Sequence, residues 1–278
     1  MYEDLMTKHG FIPSNHTAPV FFTVSLENIY DKTNKQIPGY KAVIRGDTGD
    51  TLKVHTDAYS LVLYEESFGA FEQAIEKSGL DTTDMRIGTD VMNGGGKIFR
   101  QYLFPNIKER IANSDIALTI SVFDSYDGTT AFIGRSGHFN FRCANMGFAG
   151  RAALEMKVKH SGVETIKRQL AAIELIVQAA ERYVVEAKRM REWPNIQVPV
   201  DNCRNILKAI PQSTDQLCDT LLASYAVEKE HNLWSLYNCL TAWSTHTPTG
   251  KRKMAIDRQK RVLDLVEGKE WKHLENAS

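Results

Sequence analysis

No apolar run in the chain is long enough to cross a bilayer. Its apolar stretches, such as Ala117–Val122 and Ile173–Val177, stop well before the roughly 18 residues that a spanning helix needs. No secretory leader is expected either. Met1-Tyr-Glu-Asp4 is acidic where a leader is basic, and no apolar segment follows, so the expected location is the cytoplasm. Cysteine is scarce: Cys143, Cys203, Cys218 and Cys239 form no C-x-x-C pair, which removes a disulfide framework and leaves four reduced, mostly buried thiols as the expectation. An excess of one charge is absent too. With 34 basic and 34 acidic residues a uniformly basic surface is excluded, while a local basic groove is not. The balance is uneven along the chain: residues 1–140 carry 13 basic and 18 acidic side chains, and residues 141–278 carry 21 and 16.

What is present is core material. Hydrophobic residues make up 42 % and charged residues 24 % of the 278, a composition that folds rather than stays disordered. Residues 1–20, with Gly10, Pro13 and Pro19, read as an N-terminal arm. Val20–Leu26, Tyr40–Ile44 and Val54–Leu63 read as strands, with Ile37-Pro-Gly39 and Gly46–Gly49 as turns. Ser67–Ser78 carries Phe68, Phe71 and Ile75 at helical spacing, with Gly79 just past its end. Met85–Phe104 is broken at Asn93-Gly-Gly-Gly96, a hairpin tip. Ile116–Phe123 and Thr130–Ile133 flank a second turn, Asp124–Gly128, and Phe139–Arg142 extends the sheet.

After Gly150 the period changes from two to between three and four. Ser161 and Glu164 form a capping box, and Val163, Ile166, Leu170, Ile173, Val177, Val184 and Ala187 mark one stripe of a helix that Pro194 ends. This helix spans roughly 30 residues, about 45 Å, and so much apolar stripe predicts self-association or a large inter-helix core. Asp201 is placed to cap a short helix to Ile210. Ser213 and Gln216 make a second box before Leu217–Trp243, His246–Gly250 is a loop, and Ala255–Val266 is the last helix. The fold class is therefore α+β: a mostly antiparallel sheet in residues 21–150, then a long helix and helical bundle in 151–278, together forming one domain.

Four short patterns occur in order: His55 with Tyr59; Ser125-Tyr-Asp127-Gly128; Phe141-Arg-Cys143-Ala-Asn145; and Leu233-Trp234-Ser-Leu-Tyr-Asn238 with Thr241 and His246. Together they resemble the domain-of-unknown-function 932 family of phage and plasmid proteins over about residues 35–268. Ala144 departs from that pattern, where a bulkier residue is common. The resemblance implies a mobile-element origin, hence a host-cell cytoplasm for a phage-encoded chain, and it supplies no catalytic assignment.

The chemistry-bearing residues divide by spacing. Gly94-Gly-Gly96-Lys97 lacks the phosphate-loop form, although Lys97 and Arg100 on a mobile tip can touch a phosphate backbone. His55, His138, Cys143 and His246 have no paired metal-ligand spacing, so no metal or cofactor is assigned. A Cys143 nucleophile activated by Arg142 and a distant histidine is an alternative. Asp124 and Asp127 read as turn residues. Arg135, Arg142, Arg151, Lys157, Lys159, Lys167 and Arg168 bunch where sheet gives way to helix, interleaved with Phe139, Phe141 and Phe148. Cations that neutralise phosphates beside stacking rings suit a single strand, while the bland reading makes the phenylalanines core and the charges a solvated face. Lys251-Arg-Lys253, Arg258, Lys260 and Arg261 form a second basic cluster, read as a solvated helix start. The leading expectation is a phage-type single-stranded nucleic-acid-binding protein, a single-strand annealing or recombination accessory factor, with single-stranded DNA and further copies of itself as partners. A strand hairpin on a long helix also looks like the core of phage annealing proteins. The alternatives are a non-catalytic interaction factor binding a host or phage protein, such as an inhibitor of host defence, and a metal-dependent hydrolase.

Overall fold

In a computed structural model the described residues are 3–13, 21–148, 156–158, 164–248 and 252–277. Alternation builds the central sheet. Along β6 (Lys97–Ile111), Ile98, Tyr102 and Phe104 point into the main core while Leu103 points into a smaller one on the opposite face. β6 pairs antiparallel with β7 (Ser114–Ser125) through the turn Ala112-Asn113, where Ala112 has φ +49°. β7 pairs with β8 (Phe132–Asn140), and β5 (Arg86–Met92) lies on the other side of β6. The short β1 (Ile12–Pro13) edges β5, and β9 (Met146–Phe148) and β10 (Met156–Val158) share the free edge of β8. The order is β1-β5-β6-β7-β8-β10, antiparallel at every pairing. The β6–β7 ladder skips three residues, since Phe104 opposes Leu118 and Lys108 opposes Ala117. Pro105 has no N–H for the ladder, and the strand bulges there.

A second antiparallel sheet joins β2 (Val24–Tyr30), β3 (Gln36–Arg45) and β4 (Thr51–Thr56). The β3–β4 turn falls in Gly46–Asp50, as expected. Ile37-Pro-Gly39 is not a turn: it lies inside β3, and the chain reverses instead at Asp31–Lys35, where Asp31 Oδ1 accepts from the N–H groups of Thr33 and Lys35. Gly39 takes φ +79° at a register shift. The strand expected over Val54–Leu63 stops at Thr56.

Helix α1 (Glu3–Lys8) and Phe11 are not a loose arm. Met6 and Phe11 are buried against Leu103, Ala117 and Phe139, covering one end of the sheet's second face. On the first face, α2 (Tyr64–Lys77) buries Phe68, Phe71 and Ile75, each phenylalanine contributing about 1.5–3 kcal/mol. Beside it runs α3 (Glu164–Glu192), which ends as expected at Trp193-Pro194. Ser161 of the expected capping box lies outside the described residues.

The helical half departs from expectation mainly at its caps. In α4 (Val200–Lys208), Asp201 sits in the first turn and does not cap; Pro199 precedes the helix and no side chain caps it. Thr214, not Ser213, caps α5 (Asp215–Ala226), accepting from Leu217 N at 3.2 Å. The single element expected over Leu217–Trp243 is two helices. Asn232 accepts from Ser235 N at 2.9 Å and starts α6 (Leu233–His246). α7 (Arg252–Val266) and α8 (Lys269–Asn276) follow, with Trp271 fully buried against Trp193. Among the described residues no helix is long and apolar enough to cross a membrane.

Candidate functional site

The four short patterns meet in two clusters. His55, leaving β4, stacks on Tyr59 with ring centroids 3.8 Å apart and donates from Nε2 to the Tyr126 carbonyl at 2.7 Å. Tyr126 stacks on Tyr64 at 3.7 Å. The two exchange hydrogen bonds, Tyr64 N to Tyr126 Oη at 2.7 Å and Tyr126 N to Tyr64 Oη at 3.1 Å, and the Tyr64 hydroxyl donates to the Gly95 carbonyl. Burial holds both phenols protonated. Asp127 accepts from Thr129 N and from Asn93 Nδ2, which ties two hairpin tips together. Gly128, at φ +67°, leaves room for the His55 ring. This cluster pins three loops to one another, and its histidine proton points at a carbonyl.

The second cluster joins the turn after β8 to α6. Asn140 Oδ1 accepts from Arg142 N and ends the strand there, so Arg142 lies in a turn and not in the expected strand. Ala144 occupies the left-handed region at φ +54°, a strained position for a residue with a Cβ. Asn145 Nδ2 donates to the Asn238 carbonyl at 3.0 Å and to Thr241 Oγ1 at 3.1 Å. His246 Nε2 lies 2.9 Å from the Cys143 carbonyl and 2.8 Å from Asn145 Oδ1; both are acceptors, so this nitrogen carries the proton. Asn238 Nδ2 donates to the carbonyl of Trp234, whose ring packs on Tyr237 and Trp193. Cys143 is half-buried and lines two clefts, one with Asn238, Cys239, Trp243 and His246, the other with Ser114, Arg142 and Glu228. Burial pushes its thiol upward and outweighs nearby Arg142, and His246 reaches its carbonyl rather than its sulfur. The thiolate–histidine pair is therefore not assembled here. Among the described residues no group of three or more His, Cys, Asp or Glu side chains is placed to hold a metal ion.

The basic residues are redistributed. Arg100 does not reach a surface: it is buried, pairs with Glu72 at 2.9 Å and lies over Phe21. Arg135 and Arg142 do not share a groove, since they line different clefts toward opposite ends of β8. Lys157 lies on β10, and Arg151 and Lys159 fall outside the described residues. Lys97 and Arg135, by contrast, converge. Strand pairing sets Lys97 opposite Ser125 and Arg135 opposite Ser121, on the sheet face that bears Phe99 and Phe123. The start of α7 adds Ile256, Asp257 and Lys260, closing a cleft of about 180 Å³ whose wall also holds Asp124, Ile98 and Ile133. Arg135 lies over the Phe123 ring at 6.0 Å. Lys97, Arg135 and Lys260 against Asp124 and Asp257 leave one excess positive charge. Sequence reasoning placed Lys260 in a separate solvated cluster and missed this meeting, for which no local signal exists. It also missed Tyr64 as a partner of the short patterns.

A family model described as Domain of unknown function (DUF932) matches residues 51–264, and the chain belongs to that family. No curated protein and no solved structure matches.

Proposed function

We propose that the protein binds single-stranded nucleic acid and acts as an annealing or recombination accessory factor. The observation that carries this reading is the convergence of Lys97, Arg135 and Lys260, from three distant parts of the sequence, on one cleft beside Phe123. Cations gathered along one cleft neutralise a phosphate backbone, and a base can stack on a guanidinium that lies over an aromatic ring. The two carboxylates in the same wall favour a chain lying across the mouth of the cleft over a multiply charged anion held deep inside it. No motif for nucleotide hydrolysis accompanies the cleft, in keeping with a binding role.

The test is fluorescence anisotropy with labelled single-stranded and duplex oligonucleotides at about 50 and 200 mM salt. Tighter binding of the single strand, falling steeply with salt, supports the proposal. No binding at low salt sinks it and leaves the non-catalytic interaction factor as the reading to pursue.

A further inference from the structure

Helix α3 has two apolar seams. One is its core face: Ala172, Leu175, Ile176, Ala179, Tyr183, Ala187 and Met190 are buried. The other is exposed. Of the twelve exposed large hydrophobic residues among those described, four lie on this helix: Ile173, Val177, Val184 and Val185. Ile173, Val177, Ala180 and Val184 follow one another at steps of four, three and four residues, the alternation of a coiled-coil seam, with Ala180 partly buried against the molecule's own core. A straight helix drifts about 20° per heptad from such a seam. The drift turns it inward, so that by Ala187 the seam has merged with the buried face.

The flanks of the exposed seam differ. On one side Ile176, Tyr183 and Met190 are already packed in the molecule's own core. On the other, Glu174, Glu181 and Lys188 recur at seven-residue intervals and are all exposed. We propose that this seam docks against α3 of a second copy, antiparallel, about a two-fold axis at the level of Glu181. Such an axis brings the same flank of both helices together. Glu174 of each copy then faces Lys188 of the other, and Val177 comes within one residue's rise of Val184 across the seam. A parallel pair would instead set the charged flank against the side that is already buried. Charges beside a seam fix orientation, and here opposite charges stand at equal distances either side of Glu181.

Sedimentation equilibrium over a dilution series tests this on the full chain. Wild type should dimerise. Val177→Asp with Val184→Asp, both on exposed positions, should be monomeric with an unchanged circular dichroism spectrum. Lys188→Glu should weaken the dimer about tenfold, two exposed ion pairs having turned repulsive, and Glu174→Lys with Lys188→Glu should restore it. Glu181→Gln should tighten it, because the axis brings Glu181 against its own copy. A wild type that stays monomeric at every concentration overturns the proposal, and so does a dimer indifferent to the aspartates. Failure of the charge swap to restore dimerisation overturns the antiparallel arrangement. Loss of nucleic-acid binding bears on none of these outcomes.

Discussion

His138 stands fully buried on β8, with its Nε2 hydrogen-bonded to the Tyr237 hydroxyl at 3.1 Å. Burial alone pushes its pKa down to about 4. An unfolded histidine takes its proton near 6.5, so between about pH 6.5 and 4 the unfolded chain binds more protons and stability drops as the pH is lowered. The loss approaches about 1.4 kcal/mol per unit and totals about 3 kcal/mol by pH 4. His138→Gln keeps an acceptor for Tyr237 without the titration, and its urea midpoint should fall less steeply from pH 7 to 4 than that of wild type. Equal slopes would remove His138 as the source. Gly128 makes a second residue-scale case. Any Cβ there meets His55 Cε1 at 2.7 Å, and φ is +67°. Gly128→Ala combines left-handed strain with that clash, so it should cost about 2 kcal/mol in chemical unfolding, whereas Gly69→Ala, which meets nothing within 4 Å inside a helix, should stabilise by about 0.5–1 kcal/mol.

Helices α3, α7 and α8 are joined by one side chain. Arg189 on α3 reaches Glu267 at 2.7 Å, Glu275 at 2.8 Å, Glu186 at 3.3 Å and the Val266 carbonyl at 3.0 Å, while Trp193 Nε1 donates to Glu275 at 2.6 Å. Burial pushes Glu186 upward, whereas the guanidinium holds Glu267 below the usual carboxylate range. Removing the cation leaves three half-buried carboxylates facing one another. Arg189→Ala should therefore cost about 3–5 kcal/mol in urea unfolding and raise hydrogen exchange in α8, and Arg189→Lys should recover only part, because an ammonium cannot span the fork. An unchanged midpoint would show that solvent satisfies these groups. Elements of this kind differ in how far sequence reveals them. The extent of α3 is legible from its period and Pro194, and the tip at Asn93–Gly96 from its glycines, two of which take positive φ. Which face of α3 meets the sheet is not legible, because both seams are apolar and only the tertiary fold chooses between them. α8 escapes notice because a two-turn helix with Trp271 as its single buried anchor has no period to read.

At the scale of the whole molecule, net charge is zero, so any affinity for a polyanion has to come from local geometry rather than from the summed field. That makes the two clefts along β8 a test of each other. Lys97, Arg135 and Lys260 share one wall with a single excess positive charge, while Arg142 lies in the other beside Glu228, Lys229 and Glu230, where acids offset it. Each phosphate neutralised on a single strand adds about 0.7 to the slope of log affinity against log salt, through released counterions. Replacing Lys97, Arg135 and Lys260 together by alanine should lower that slope by about 2 and weaken binding similarly for all base sequences. Arg142→Ala should leave both affinity and slope unchanged. The two variants carry their own controls: all four side chains lie at least partly at the surface, and circular dichroism reports whether each protein remains folded. If Arg142→Ala removes binding while the triple variant keeps it, the ligand runs over the far end of β8, past Cys143 and Asn238. The polar cluster of Asn145, Asn238 and His246 would then be the part of the molecule that positions it.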